Sequence, residues 1–162
     1  MPVTDVKKDL DALTMTVTAE FDAGAERVWE MWSDPRRLER WWGPPSHPAT
    51  FVDHEFEPGG HAAYFMTAPD GQKYHGWWRF EEVEPPAHLR FEDGFADDEG
   101  KPNAEMPTTV ATVTITESAG ATTMSIQSKF ASREGMEQTI EMGMEQGVVE
   151  ALGQIDGLLR QS

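Results

Sequence analysis

Histidines 47, 54, 61, 75 and 88 are the side chains of this sequence best suited to move protons near neutral pH. His61 is the one whose neighbours suggest chemistry. If Asp70 and Gly71 form a two-residue hairpin loop, antiparallel partners share a constant sum of numbers, and His61 lies opposite Phe80 on the face that carries Tyr74. An imidazole and a phenol on that face could serve as acid and base toward a bound phenol or ketone, so His61 and Tyr74 are the catalytic candidates. Metal chemistry finds little support. His54 stands near Glu55 and Glu57, but in a strand Glu55 points away from it, and neither His-x-His nor His-Glu-x-x-His spacing occurs. The acid run Asp97-Asp98-Glu99 fails as a calcium loop because Phe95 stands where an oxygen ligand belongs. With no cysteine there is no thiolate nucleophile or thiolate metal site. A glycine-rich phosphate loop, a Gly-x-Ser-x-Gly elbow and a basic aromatic patch are all missing, which disfavours kinase, nucleotide-binding and serine-hydrolase functions. No metal and no cofactor is expected.

These side chains need elements to hold them. Strict alternation from Leu13 to Phe21 predicts a half-buried strand. Two short helices follow, one over Ala25 to Ser33 and one begun by Asp34-Pro35 and stopped by Gly43-Pro44-Pro45. The pattern then turns to β. Strands are predicted at Phe51–Glu57, His61–Ala68, Gln72–Glu84 and His88–Asp93, then at Thr108–Glu117 and Thr122–Phe130. Gly94 to Pro107 reads as a long acidic loop. From Arg133 onward, Met136, Ile140, Met144, Val148, Ala151, Ile155 and Leu158 recur in steps of three and four, the stripe of one long helix with Ser132 as its N-cap. The fold class is therefore α+β, a seven-stranded antiparallel sheet that must curl around the C-terminal helix. Residues 1–10 are expected to be a flexible leader and residues 11–162 a single domain.

The same register gathers a candidate ligand site. Phe65, Tyr74, Trp78 and Phe80 share the more apolar strand face with Phe91 and Met124, while Ile140, Met144 and Gly147 look back from the helix. A chamber of that composition suits a flat or greasy molecule. The competing expectation is that these side chains simply fill a core. Interior glycines weaken a helix by roughly 1 kcal/mol each, so Gly143 and Gly147 mark either close approach to the sheet or room for a ligand. Trp41 and Trp42 are expected to wedge against the sheet. Trp77 and Tyr64 fall on the outer face, where exposed aromatics would suit a partner or a homodimer contact.

The formal net charge of -16 opposes binding to nucleic acid and to anionic membrane surfaces. No run approaches the ~20 apolar residues of a membrane span, and the first residues lack a signal-peptide core. A cytoplasmic location is the expectation.

Several of these residues also carry a family resemblance. The run from Phe21 to Pro44, Gly59-Gly60, Glu84-Pro85-Pro86 and the Gly-Met-Glu-Gln-Gly motif of 143–147 resemble the START-like superfamily, also called SRPBCC or helix-grip proteins. The branch is that named after the activator of the heat shock protein 90 ATPase. The resemblance implies a seven-stranded curved sheet gripping a long C-terminal helix, with a cavity that in many relatives holds an apolar or amphipathic small molecule. It carries over no catalytic residue. The implied functions are small-molecule binding first, then a polyketide cyclase or aromatase-like enzyme, then a chaperone-associated protein.

Overall fold

The computed structural model describes residues 3–103, 105–106 and 108–160. In chain order the elements are β1 (Val3–Asp9), β2 (Thr14–Phe21), α1 (Ala25–Ser33), α2 (Pro35–Trp41), β3 (Ala49–His54), β4 (His61–Thr67), β5 (Lys73–Glu84), β6 (His88–Phe95), β7 (Thr109–Ser118) and β8 (Ala121–Phe130), followed by α3 (Arg133–Glu141), α4 (Met144–Gly153) and α5 (Ile155–Arg160). All strands join one antiparallel sheet in the order β1-β2-β8-β7-β6-β5-β4-β3. Along β2 the alternation acts as the sequence dictates: Met15, Val17, Ala19 and Phe21 are buried against the helices.

The sheet has eight strands, not seven, because the residues expected to form a leader supply β1. It pairs with β2 along its length, Lys8 lying opposite Met15. A bulge between Val3 and Asp5 breaks the two-residue period, so Val3 and Val6 both pack against the core while the other side chains of the strand are exposed. Lysines on an outermost strand are one way such an edge is kept from pairing further. Lys8 also reaches Glu145 at 2.6 Å, tying β1 to α4.

The single long C-terminal helix is likewise corrected to three. Ser132 caps α3 through the Gly135 amide at 3.0 Å, as the sequence indicates. The helix then breaks at Gly143, whose φ of +93° is open to glycine but strained for other residues. A second break follows at Gln154, whose side-chain amide donates to the carbonyls of Trp41 (3.2 Å) and Gly43 (2.6 Å) and so fastens the helical segment to the end of α2.

The hairpin between β4 and β5 is one residue out of the expected register. Its loop has three residues, Pro69, Asp70 and Gly71, closed by Ala68 and Gln72, with Gly71 left-handed at φ +89°. Partners thus sum to one less: Ala62 faces Trp78, Tyr64 faces Gly76 and His61 faces Arg79. A shift of one exchanges the faces of β4 and leaves those of β5 in place. Tyr64 turns inward; His61 and Phe65 turn outward.

The core lies between the concave face and the helices. Trp78 stacks on Phe91 at 4.2 Å, and Trp32 meets both rings at a tilt while its Nε1 contacts Met124 Sδ at 3.2 Å. α1 is held at its start by a strand: the Ala25 amide donates to Glu117 Oε1 at 2.6 Å, where the helix dipole favours a carboxylate.

Candidate functional site

Three elements meet at one end of the concave face. Gly43-Pro44 ends α2 and turns the Trp41-Trp42 pair onto the sheet. The break at Gly143 lifts the helical segment away from it. Between them β4 to β8 bring inward side chains, and a cavity of about 450 Å³ remains. Its walls come from Trp42, Pro44 and His47 beyond α2, from Tyr64 and Met66, from Tyr74 and Gly76, from Asp93 and Phe95, and from Thr109, Ala111, Ile126 and Ser128. Met142, Gly143, Met144, Gly147, Val148 and Ala151 form its roof.

The helical segment is packed at its ends and open in its middle. Met136 and Thr139 are buried on one side, Ala151, Leu152 and Ile155 on the other, and none of residues 141–150 is. A Cβ placed on Gly143 or Gly147 would meet nothing within 4 Å. The glycines therefore face open space, which excludes the close-approach expectation. Close approach occurs elsewhere: a Cβ on Gly76 would lie 2.5 Å from the Tyr64 ring, so this glycine is what allows the phenol to lie flat across β5.

The inner wall is polar. Asp93 follows Leu89 and Phe91 on the inward face of β6, which sets a carboxyl among aromatic rings. Tyr64 Oη donates to Asp93 Oδ1 across a long 3.4 Å. Burial pushes the Asp93 carboxyl up to about 7, opposed by the Tyr64 hydroxyl and the Trp78 indole N–H. Burial, and then the neighbouring Asp93 charge, raise the Tyr64 phenol well above its ordinary value. The Nε1 atoms of Trp42 and Trp78 are enclosed and have no hydrogen-bond partner.

Of the expected ligand-site residues, Tyr74, Met144 and Gly147 line the cavity. Trp78, Phe80, Phe91 and Met124 do not; they are buried core side chains beneath it, because the Trp42 ring, 4.8 Å from Trp78, closes over that part of the floor. Ile140 is half-buried against the core outside the lining. Phe65 is on the outer face with Lys73 Nζ 4.5 Å above its ring, a consequence of the register. His61 is there too, its Nδ1 2.5 Å from Glu55 Oε1 and its Nε2 3.8 Å from Asp53. The proposed His61–Tyr74 pair is thus divided between opposite faces of the sheet, with Tyr74 half exposed at the cavity mouth. Trp77 does lie on the outer face, but its Nε1 donates to the Phe95 carbonyl at 3.1 Å and its ring covers Gly94.

Asp93, Tyr64 and Trp42 were absent from the sequence-derived site. The alternation Leu89, Phe91, Asp93 was the available signal, because it puts an acid at an inward position. Among the described residues, one group brings three conceivable metal ligands within 4.8 Å of each other: Glu82, Glu84 and His88 at the β5–β6 turn. Its shortest contact is an ordinary one, His88 Nε2 to Glu82 Oε1 at 2.7 Å.

A curved antiparallel sheet closed by C-terminal helices over a cavity defines a START-like, or SRPBCC, protein. The family described as "Activator of Hsp90 ATPase homolog 1-like protein" matches residues 22–160, and the chain belongs to that family. A protein from Arthrobacter aurescens, solved in solution, is 53% identical, with a TM-score of 0.95 over 99% of this chain and 93% of that one. Protein Ms6760 from Mycobacterium smegmatis is 50% identical, with a TM-score of 0.91 over 98% and 97%. A Staphylococcus epidermidis protein is 26% identical, with a TM-score of 0.85 over 98% and 94%. No curated protein matches the chain. No helix among the described residues is long and apolar enough to cross a membrane.

Proposed function

We propose that this protein binds a small, largely apolar molecule in the cavity beneath its C-terminal helices. The observation that carries this reading is the loosely packed roof: none of residues 141–150 is buried, and they stand over about 450 Å³ of space with Gly143 and Gly147 in its lining. That volume falls within the roughly 300–1,000 Å³ of small-molecule sites, and the mixture of aromatics, methionines and a few polar groups is typical of them. The cyclase-like alternative loses its residues, since His61 and Tyr74 do not share a face.

The test is thermal denaturation with a panel of fused-ring aromatics and medium-chain ketones, using wild-type protein and Gly147→Leu. A ligand at a hundred times its Kd adds about 2.7 kcal/mol, or a rise in Tm of about 5–10 °C for a domain of this length. The leucine fills the cavity and should abolish the shift while the variant stays folded. No shift with any compound, or an equal shift in Gly147→Leu, overturns the proposal.

The family description supports a chaperone contact as a second reading. Recovery of the middle domain of an Hsp90-type chaperone on immobilised protein would support that reading, and recovery of nothing would remove it.

A further inference from the structure

We propose that the cavity selects an apolar amine, a greasy body whose protonated nitrogen seats against the Asp93 carboxylate on the inner wall. This rests on the cavity being a ligand site, as proposed above, and adds the charge and the functional group of the ligand.

The first observation is a carboxylate oxygen left over. Oδ1 of Asp93 accepts from Tyr64 Oη at 3.4 Å. Oδ2 accepts no hydrogen bond among the described residues, and unlike the two unpartnered indole nitrogens it is not enclosed. Asp93 is partly exposed, and the space it borders is the cavity. A carboxylate has about four acceptor sites, so the bond from Tyr64 leaves the group free to take a further donor. The protein supplies none of opposite charge. Among the described residues no lysine or arginine lines the cavity, and Arg79 and Arg90 from the strands on which Trp78 and Asp93 lie are held instead by Glu92 at 3.2 Å and Glu81 at 2.9 Å.

The second observation is the sign of the charge on the roof. From residue 134 to residue 159 the chain carries six acidic side chains and no lysine or arginine. Arg133 offsets Glu137 and Lys8 offsets Glu145. Glu150, which lines the cavity, has the Gln146 amide at 3.1 Å and no ion pair among the described residues. Wall and roof thus set the same potential on the cavity, within a chain of formal charge -16. A carboxylate ligand would be buried against like charge with nothing to neutralise it. A neutral ligand would cover Oδ2 without pairing its charge. A protonated amine brings both a donor and the opposite charge.

Proton linkage gives the pairing a signature. Burial holds the Asp93 carboxyl at about 7, and a cation beside it favours the ionised form. Below that value amine binding must expel the proton, so affinity falls as pH falls. The other titratable side chains of the lining are His47, Tyr64, Tyr74, His75 and Glu150, and a variant at Asp93 separates its titration from theirs.

Calorimetric titration with 2-(2-naphthyl)ethylamine, 2-(2-naphthyl)ethanol and 2-naphthylacetate tests the proposal, between pH 5.5 and 8.5, on wild type, Asp93→Asn and Glu150→Gln. At pH 8.5 the amine should bind about tenfold tighter than the alcohol, the worth of one hydrogen bond to a charged group, and the acetate weakest. The Kd of the amine should rise about thirtyfold between pH 8.5 and 5.5, in proportion to the loss of ionised Asp93, while that of the alcohol stays level. At pH 5.5, heats in buffers of different ionisation enthalpy should report release of close to one proton with the amine and none with the alcohol. Asp93→Asn should bring the amine to the affinity of the alcohol and abolish both effects. Glu150→Gln should weaken the amine severalfold at most.

Equal affinities for amine and alcohol in wild type overturn the selectivity but leave cavity binding standing. A preference for the amine that survives in Asp93→Asn, or that disappears in about 0.5 M salt, belongs to the diffuse acidic surface and overturns Asp93 as the seat. Failure of all three to bind removes cavity binding and the amine site together.

Discussion

Replacing Asp93 by asparagine should stabilise this protein, and do so increasingly as pH rises. The carboxyl is held at about 7 against an ordinary 3.8, a rise of about three pH units. At about 1.4 kcal/mol per unit, ionising it in the folded chain costs about 4 kcal/mol relative to the unfolded one. The sign follows from proton counting. Between those two values the folded state holds the proton that the unfolded state has released, so stability is full below about 4 and falls as pH rises through 7. Asparagine does not titrate. Its advantage over wild type should therefore be near zero at pH 3.5, about 2 kcal/mol at pH 5 and about 4 kcal/mol at pH 8, with no further growth well above 7. In Tm this is a gap that widens by about 5–10 °C between pH 5 and 8. Paired denaturation curves over that range, by circular dichroism, measure it. A changed hydrogen bond to Tyr64 would shift the whole curve without altering its slope. A difference that stays flat across pH would refute the assignment of Asp93 as a desolvated carboxyl, whatever its absolute size.

Other substitutions probe the remaining contacts. Gly76→Ala puts a methyl group 2.5 Å from the Tyr64 ring and should destabilise by about 1–3 kcal/mol in urea unfolding. Gly147→Ala meets open space in a helix and should stabilise by up to about 1 kcal/mol in the same assay. Glu117→Ala removes the carboxylate that accepts from the first turn of α1 and should cost about 1 kcal/mol, read as a lower Tm. Deleting residues 1–10 should lower the Tm measurably, because it removes β1 and the Lys8–Glu145 pair; an unchanged Tm would mean that β1 contributes nothing.

Much of the fold was legible because local chemistry and burial agree along β2, β5, β7 and β8 and at the caps Asp34 and Ser132. What was not legible depends on single residues whose effects are not local. One extra loop residue at Pro69 turned β4 over and moved Tyr64, Phe65 and His61 to the faces opposite those expected. One bulge hid the periodicity of β1. The stripe from Met136 to Leu158 was correct as a face but silent about the breaks at Gly143 and Gln154, because a periodic pattern does not record where the backbone leaves the helix. The candidate site suffered most. Its polar members come from β4, β6 and the end of α2, and only the register brings them together, whereas the aromatics that stand out in the sequence, Trp78, Phe80 and Phe91, are spent on the core.

The break at Gly143 leaves the segment from Glu141 to Glu150 anchored at both ends and supported in between only by the Lys8–Glu145 pair and the partial packing of Met144 and Val148. Such a stretch should open on its own, separately from the global unfolding that limits the strands beneath it. In a hydrogen–deuterium exchange map it would form an island of fast amides between two protected flanks. A molecule seated under it would supply the missing packing, and the gain in protection would concentrate on those ten residues. The amides of this roof can therefore report occupancy of the cavity before the identity of its ligand is known.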